Sequence, residues 1–194
     1  MKKKLFIYPC FALICFLVSC GNSDGEKRTS VDTSNYKTET LEDDFQISIP
    51  KEMKKASQLN QDAAMQFENK IDNSYLAIIK EDRFDFLEAY GAAGVLDNNL
   101  SDIGNYRKIQ VDFFVKRLVL LEESEPDALT INDRKAEQVE FTCQVPNANS
   151  NIFYVMTFVE GEDELYMIIS WTVSLLKEEH KESFYAIANS FKEL

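Results

Sequence analysis

The 194-residue chain has one histidine, one tryptophan, four cysteines, four prolines and six glycines. A single imidazole excludes zinc sites built on several histidines, and it leaves any Ser or Thr nucleophile with almost no choice of base. The few glycines form no G-x-S-x-G elbow, Walker loop or G-x-G-x-x-G turn; Gly91-Ala92-Ala93-Gly94 reads instead as the end of a helix. Long apolar runs are missing as well. The longest, residues 5–18, has about 14 residues where a membrane-spanning helix needs roughly 20. Basic residues are the minority, 21 against 33 acids for a net charge of −12, so the surface repels phosphate backbones and nucleic acid is excluded as a partner.

What is present begins at the N-terminus. Lys2, Lys3 and Lys4 precede the apolar run, and Leu17-Val18-Ser19-Cys20 closes it. This is the layout of a targeting segment, a charged stretch followed by an apolar one and a small residue at the cut. Residues 1–20 resemble a bacterial lipoprotein signal with its lipobox. The resemblance implies that residues 1–19 are removed, that the Cys20 sulfur receives a diacylglycerol and that the freed amine takes a fatty acyl chain such as palmitate. Two or more chains anchor a protein stably without a transmembrane helix. Gly21 follows Cys20 where aspartate favours inner-membrane retention, so the expected location is the outer membrane of a bacterial cell envelope.

Removing the leader takes three lysines and no acids, leaving 18 basic against 33 acidic side chains and a net charge of −15. It also removes Cys10 and Cys15, and lipid occupies Cys20, so the mature domain keeps only Cys143 and forms no internal disulfide. Cys143 alternates with Val139, Phe141 and Val145 on the inward face of a strand, where a lone thiol is a small hydrophobe. From residue 21 to about residue 40 only Val31 and Tyr36 are large and apolar, which reads as a flexible tether with a reach of roughly 25 Å. Residues 41–194 suit one domain.

Within that domain, alternation marks strands at Phe45-Gln46-Ile47-Ser48-Ile49, ended by Pro50, and at residues 64–68 and 75–79, which form a hairpin about Asp72-Asn73. Helical spacing over residues 84–95 involves Phe84, Leu87 and Tyr90. A second helix is expected over residues 100–118, capped by Ser101 or Asn99, with Ile103, Val111, Phe114 and Leu118 on its apolar side and Phe113 widening it. After Pro126 come strands at residues 129–131, 136–145, 152–159 and 165–173, with turns at Asn132-Asp133 and about Gly161. Residues 152–159 are apolar on both faces, which places them centrally in a sheet covered on both sides. Ser174 is expected to cap a final helix. The predicted architecture is α+β, a three-layer α/β/α sandwich around a mostly antiparallel sheet.

Residues 45–50, Asn60-Gln61-Asp62-Ala63-Ala64-Met65-Gln66-Phe67 and Ala188-Asn189-Ser190-Phe191-Lys192 resemble the PsbP-like superfamily, which groups PsbP, Ran-binding and DcrB-type proteins. The closer likeness is to uncharacterised lipoproteins of Bacteroidetes-type bacteria. The resemblance covers about residues 41–194 and implies a binding or assembly-assisting module without a shared catalytic site; the matching positions are structural.

The remaining candidates carry little chemistry. His180 falls among Leu176, Phe184 and Ile187 as a packing residue, the alternative being a lone ligand. Glu160, Glu162, Asp163 and Glu164 crowd one turn and Glu122, Glu123, Glu125 and Asp127 another segment, either solvated or weakly divalent-binding, without calcium-loop spacing. Trp171 packs in the core or lines a pocket. These features suggest no enzyme, cofactor or metal site. They leave a protein-binding module anchored at Cys20, or alternatively a carrier of a small apolar or amphipathic ligand held between sheet and helices.

Overall fold

The computed structural model describes residues 31–145 and 150–194. Eleven strands and three helices follow in the order β1 Tyr36–Leu41, β2 Phe45–Pro50, β3 Lys54–Lys55, β4 Met65–Asn69, β5 Ser74–Asp82, α1 Arg83–Ala92, α2 Asp102–Val115, β6 Val119–Glu123, β7 Asp127–Ile131, β8 Arg134–Gln144, β9 Asn151–Glu160, β10 Glu164–Val173, α3 Lys177–Asn189 and β11 Lys192–Glu193. The main sheet runs β3-β4-β5-β10-β9-β8-β6, with β7 also on β8, and a small sheet runs β1-β2-β11. The recorded strand pairings are antiparallel.

Central position follows from composition. β9 and β10 bury side chains on both faces, and each face has its own core. Tyr154, Met156, Phe158, Leu165, Met167 and Ile169 face α1 and α2 with Tyr106 and Phe86. Phe153, Val155, Val159, Tyr166 and Ile168 face α3 and the small sheet, meeting Phe184, Ile187, Phe45 and Ile47. Burying a large apolar side chain contributes about 1.5–3 kcal/mol, so neither face of such a strand can be left to water. The expected α+β sandwich is therefore the observed one, with the small sheet joining α3 in one outer layer.

Local signals act where they were expected. Ser101 Oγ accepts from Gly104 N at 3.2 Å and starts α2. Asn132 and Asp133 both have positive φ, 45° and 69°, the geometry of a two-residue type I′ hairpin between β7 and β8. Gly94 at φ 67° ends α1. Gly94 N bonds Gly91 O and Val95 N bonds Tyr90 O, both at 3.0 Å, the paired bonds of a Schellman motif.

Four expectations are corrected. Residues 36–40 belong to the domain and not to a tether: β1 pairs with β2 over six residues, and Tyr36 Oη and Ser183 Oγ share a hydrogen bond of 2.7 Å. Polar residues suffice there because β1 is an edge strand with no fully buried side chain. The second helix stops at Val115, and residues 119–123 pair as β6 with the half of β8 that β7 leaves open. Ser174 forms no cap; it opens a 3-10 turn, Ser174–Leu176, that runs into α3. Phe84 is 71% exposed and Phe113 50%, whereas Phe86 is buried against Tyr106 with ring centroids 5.0 Å apart.

The boundary correction has a measurable consequence. A chain truncated before Leu41 loses the β1–β2 ladder and the Tyr36–Ser183 bond, at about 1 kcal/mol per hydrogen bond, and should melt about 10 °C below one starting at Asp32. Coincident melting curves would return residues 32–40 to the tether.

Candidate functional site

Cys20, the residue to which the sequence gives a chemical role, lies outside the described residues. The two acidic clusters fall within them and differ in character. In the β9–β10 turn Glu160, Glu162 and Glu164 each have a cation within reach. Arg83 Nη2 lies 3.1 Å from Glu160 and 2.6 Å from Asp102, and Lys80 bonds Asp44 and reaches Glu164 at 3.4 Å. Arg134 Nη2 pairs with Glu193 at 2.6 Å and lies 3.7 Å from Glu162. Tyr166 Oη donates to Asp44 Oδ1 at 2.8 Å, and the Glu162 N–H donates to Glu193 Oε1 at 3.0 Å.

This network joins the small sheet, through Asp44 and Glu193, to β5 and β10. It holds the C-terminal strand in place, and Leu194 N adds a bond to Asp44 O at 2.8 Å. A Cβ on Gly161 would lie 2.4 Å from Glu193 Oε1 and 2.7 Å from the Tyr166 ring, so glycine there allows the closure. The hydrogen bond to Asp44 holds Lys80 above its ordinary pKa, and burial raises that of Tyr166. A protonated lysine and an un-ionised tyrosine are structural partners for carboxylates, not proton shuttles at neutral pH.

The glutamates of the second cluster stand apart from cations. Glu122, Glu123 and Glu125 are exposed along and just after β6, and no described cation forms an ion pair with them. Among the described residues, no group of three or more His, Cys, Asp or Glu side chains is arranged to hold a metal ion.

The isolated candidates fall into packing roles. His180 Nε2 lies 3.0 Å from Asp72 O, so that nitrogen carries the proton and donates to the carbonyl, while the ring stacks on Phe184 at 5.8 Å. Cys143 is fully buried, and burial, with a contribution from Glu123, pushes its thiol up to about 11; a thiol so raised is a poor nucleophile. Trp171 is half-buried, stacked on Tyr75 at 5.4 Å and 15° and lying 6.3 Å from Tyr154. The space between the sheet and α2, where a carried ligand would lie, holds the rings of Tyr106, Phe158, Phe114, Phe141 and Tyr154 at centroid separations of 5.0 to 5.8 Å. Clefts occur at the rim instead. One of about 450 Å³ is lined by Glu52, Lys54, Glu68, Lys70, Ile71 and Asp72, and one of about 270 Å³ by His180, Ser183, Tyr36 and Ser74 among others.

One polar group escaped the sequence reading. Glu81, at the end of β5, accepts from Gln110 Nε2 at 2.6 Å and from Tyr106 Oη at 3.4 Å beneath α2. Its alternation with Ile79 on an inward face was the available signal. Burial pushes its carboxyl above the ordinary value, against the lowering effect of both hydrogen bonds.

Fold and site together define a class: an α+β domain of PsbP-like fold whose matched charges serve assembly of the fold. No protein-family model matches the chain, and no curated protein sequence matches it significantly. Solved structures do. The solution structure of CyanoP, the PsbP of the cyanobacterium Synechocystis sp. PCC 6803, superposes with a TM-score of 0.56 at 13% identity, covering 92% of this chain and 99% of that one. The crystal structure of LpqN, involved in cell envelope biogenesis of Mycobacterium tuberculosis, gives 0.50 at 10% identity, covering 77% and 82%. At such identities the likeness concerns the fold.

Glu81 provides a pH test. Because its carboxyl is protonated more readily in the fold than in the unfolded chain, it favours folding at low pH and that contribution is lost as pH rises past the ordinary carboxylate range. Glu81→Gln keeps an acceptor for Gln110 and removes the ionisation. The melting temperatures of variant and wild type should differ least near about pH 4 and diverge in the variant's favour toward about pH 7. A gap that does not change with pH would contradict the assignment.

Proposed function

We propose that this protein is a lipid-anchored lipoprotein of the bacterial cell envelope, held at the outer membrane through acylated Cys20, and that its PsbP-like domain binds another protein or assists its assembly without catalysing a reaction. The observation that carries the non-catalytic part is the use of Glu160 and Glu164 of the β9–β10 turn, and of Lys80, Arg83 and Arg134, in ion pairs that close the fold. The anchor rests on Leu17-Val18-Ser19-Cys20 behind three lysines. LpqN, similar in fold, is involved in cell envelope biogenesis, which supports an envelope setting for a domain of this shape.

With the fold beginning near Asp32, the stretch between anchor and domain is shorter than residues 21–40, and the domain works close to the bilayer surface. At a net charge of −15 after removal of the leader, lipid and not charge holds it there.

Cys20→Ser tests the anchor. The wild-type chain should partition with the membrane fraction into detergent and incorporate labelled palmitate, and the variant should do neither. A variant that still partitions into detergent refutes lipid anchoring at this residue. Capture of the wild-type chain from solubilised membranes then tests the binding role, and recovery of no stoichiometric protein partner under several growth conditions counts against it.

A further inference from the structure

Along the outer edge of β6, exposed apolar groups meet uncommitted charges of both signs. β6 closes one end of the main sheet, and among the described residues no strand pairs with its far side. Its aliphatic side chains face water: Val119 is 52% exposed, Leu120 40% and Leu121 47%. Phe113, near the end of α2 and so shortly before β6 in the chain, is half exposed. Free edges are normally guarded by lysine, proline or a short strand, because their unpaired backbone groups and apolar side chains recruit other strands. Leu121 lies at an irregularity of the β8 ladder and has no Cα partner there, so pairing with β8 does not use it up.

The sequence around this edge is reverse-symmetric in charge. Lys116-Arg117 stand before Leu118-Val119-Leu120-Leu121, and Glu122-Glu123 stand after. Arg117, Glu122 and Glu123 are exposed and form no ion pair with described residues, whereas Arg83, Arg107 and Arg134 are all committed to carboxylates. Lys116 Nζ rests 4.4 Å from the centre of the Phe113 ring.

The geometry points to β6 as a self-association edge, its occupant being β6 of a second copy of this chain in antiparallel pairing. With the irregular Leu121 left out of the ladder, a two-fold axis at Val119 sets Arg117 against the Glu122 of the other copy and Lys116 against Glu123, each pair occurring twice, with the aliphatic residues between them. Parallel pairing would set like charges opposite each other, which is destabilising. A basic foreign strand would satisfy the glutamates and repel Arg117, and an acidic one would do the reverse. A second copy running antiparallel satisfies both, as an isologous interface requires. The two main sheets then become continuous, with backbone hydrogen bonds supplying affinity and the charged ends supplying register. Lys116 and Arg117 lie in the turn out of α2, from which their long side chains can span to the facing strand.

Charge exchange tests this. Two full-length copies carrying different C-terminal tags are co-expressed, solubilised, and purified on one tag while the other is quantified. Wild-type copies should co-purify. A pair of Arg117→Glu chains, or a pair of Glu122→Arg chains, should lose co-purification roughly tenfold or more, since like charges now oppose each other. Arg117→Glu paired with Glu122→Arg should recover it, because each glutamate then faces an arginine. Residues 117 and 122 are exposed and unpaired in the fold, so each variant should keep the wild-type melting temperature, which separates loss of pairing from loss of folding. Absence of wild-type co-purification overturns the inference, as does failure of the mixed pair to recover. Capture of a different protein through β6 by a wild-type chain that does not self-associate also overturns it.

Discussion

Two central strands with no polar face constrain everything else in this fold. β9 and β10 carry large apolar side chains on both sides, and no arrangement with one wet face can accommodate them. The chain must therefore supply cover twice. It does so with α1 and α2 over one face, and with α3 and the three-stranded sheet over the other. The second layer depends on the first strands and the last ones together, because β2 contributes Phe45, Ile47 and Ile49 while β11 pairs beside it from the other end of the chain.

That dependence explains where the charges go. Beside the apolar contact of Phe45, Ile47 and Ile49, the side chains of Asp44, Lys80, Glu164, Tyr166, Glu193 and Arg134 tie the end of the small sheet to the main sheet. An acid-rich turn that could have been a cation site is thereby a clasp. Partly shielded pairs of this kind contribute modestly one by one, and their role is register: they fix which end of β2 meets which end of β10. The acids of β6 have no such duty. One molecule thus contains two acidic segments of similar composition with opposite roles, one turned inward to its own cations and one facing outward beside Arg117.

Legibility in the sequence followed the strength of the local signal. The hairpins, Ser101 at the start of α2 and the two-faced character of β9 were readable because period and turn chemistry are local properties of the chain. β1 and β6 were missed because they are edge strands, which bury little and so need no apolar alternation. Phe84 and Phe86 were exchanged because a short helix with apolar residues at several phases does not declare which side it will bury. His180 and Cys143 were read as packing residues from their spacing alone. Glu81 was not picked out, since its partners Tyr106 and Gln110 come from α2, 25 and 29 residues away.

The sequence by itself determined the N-terminal pattern ending at Cys20, the antiparallel α+β plan and the covered state of the central strands, because each is set by composition and period within a short window. Tertiary structure decided which acids are neutralised, where the domain begins and which edge is left open. Those outcomes depend on which residues distant in sequence become neighbours. Asp44 meets Lys80 and Tyr166 only after β2 has docked, and the charges flanking β6 are left unmatched only because the fold brings no partner to them.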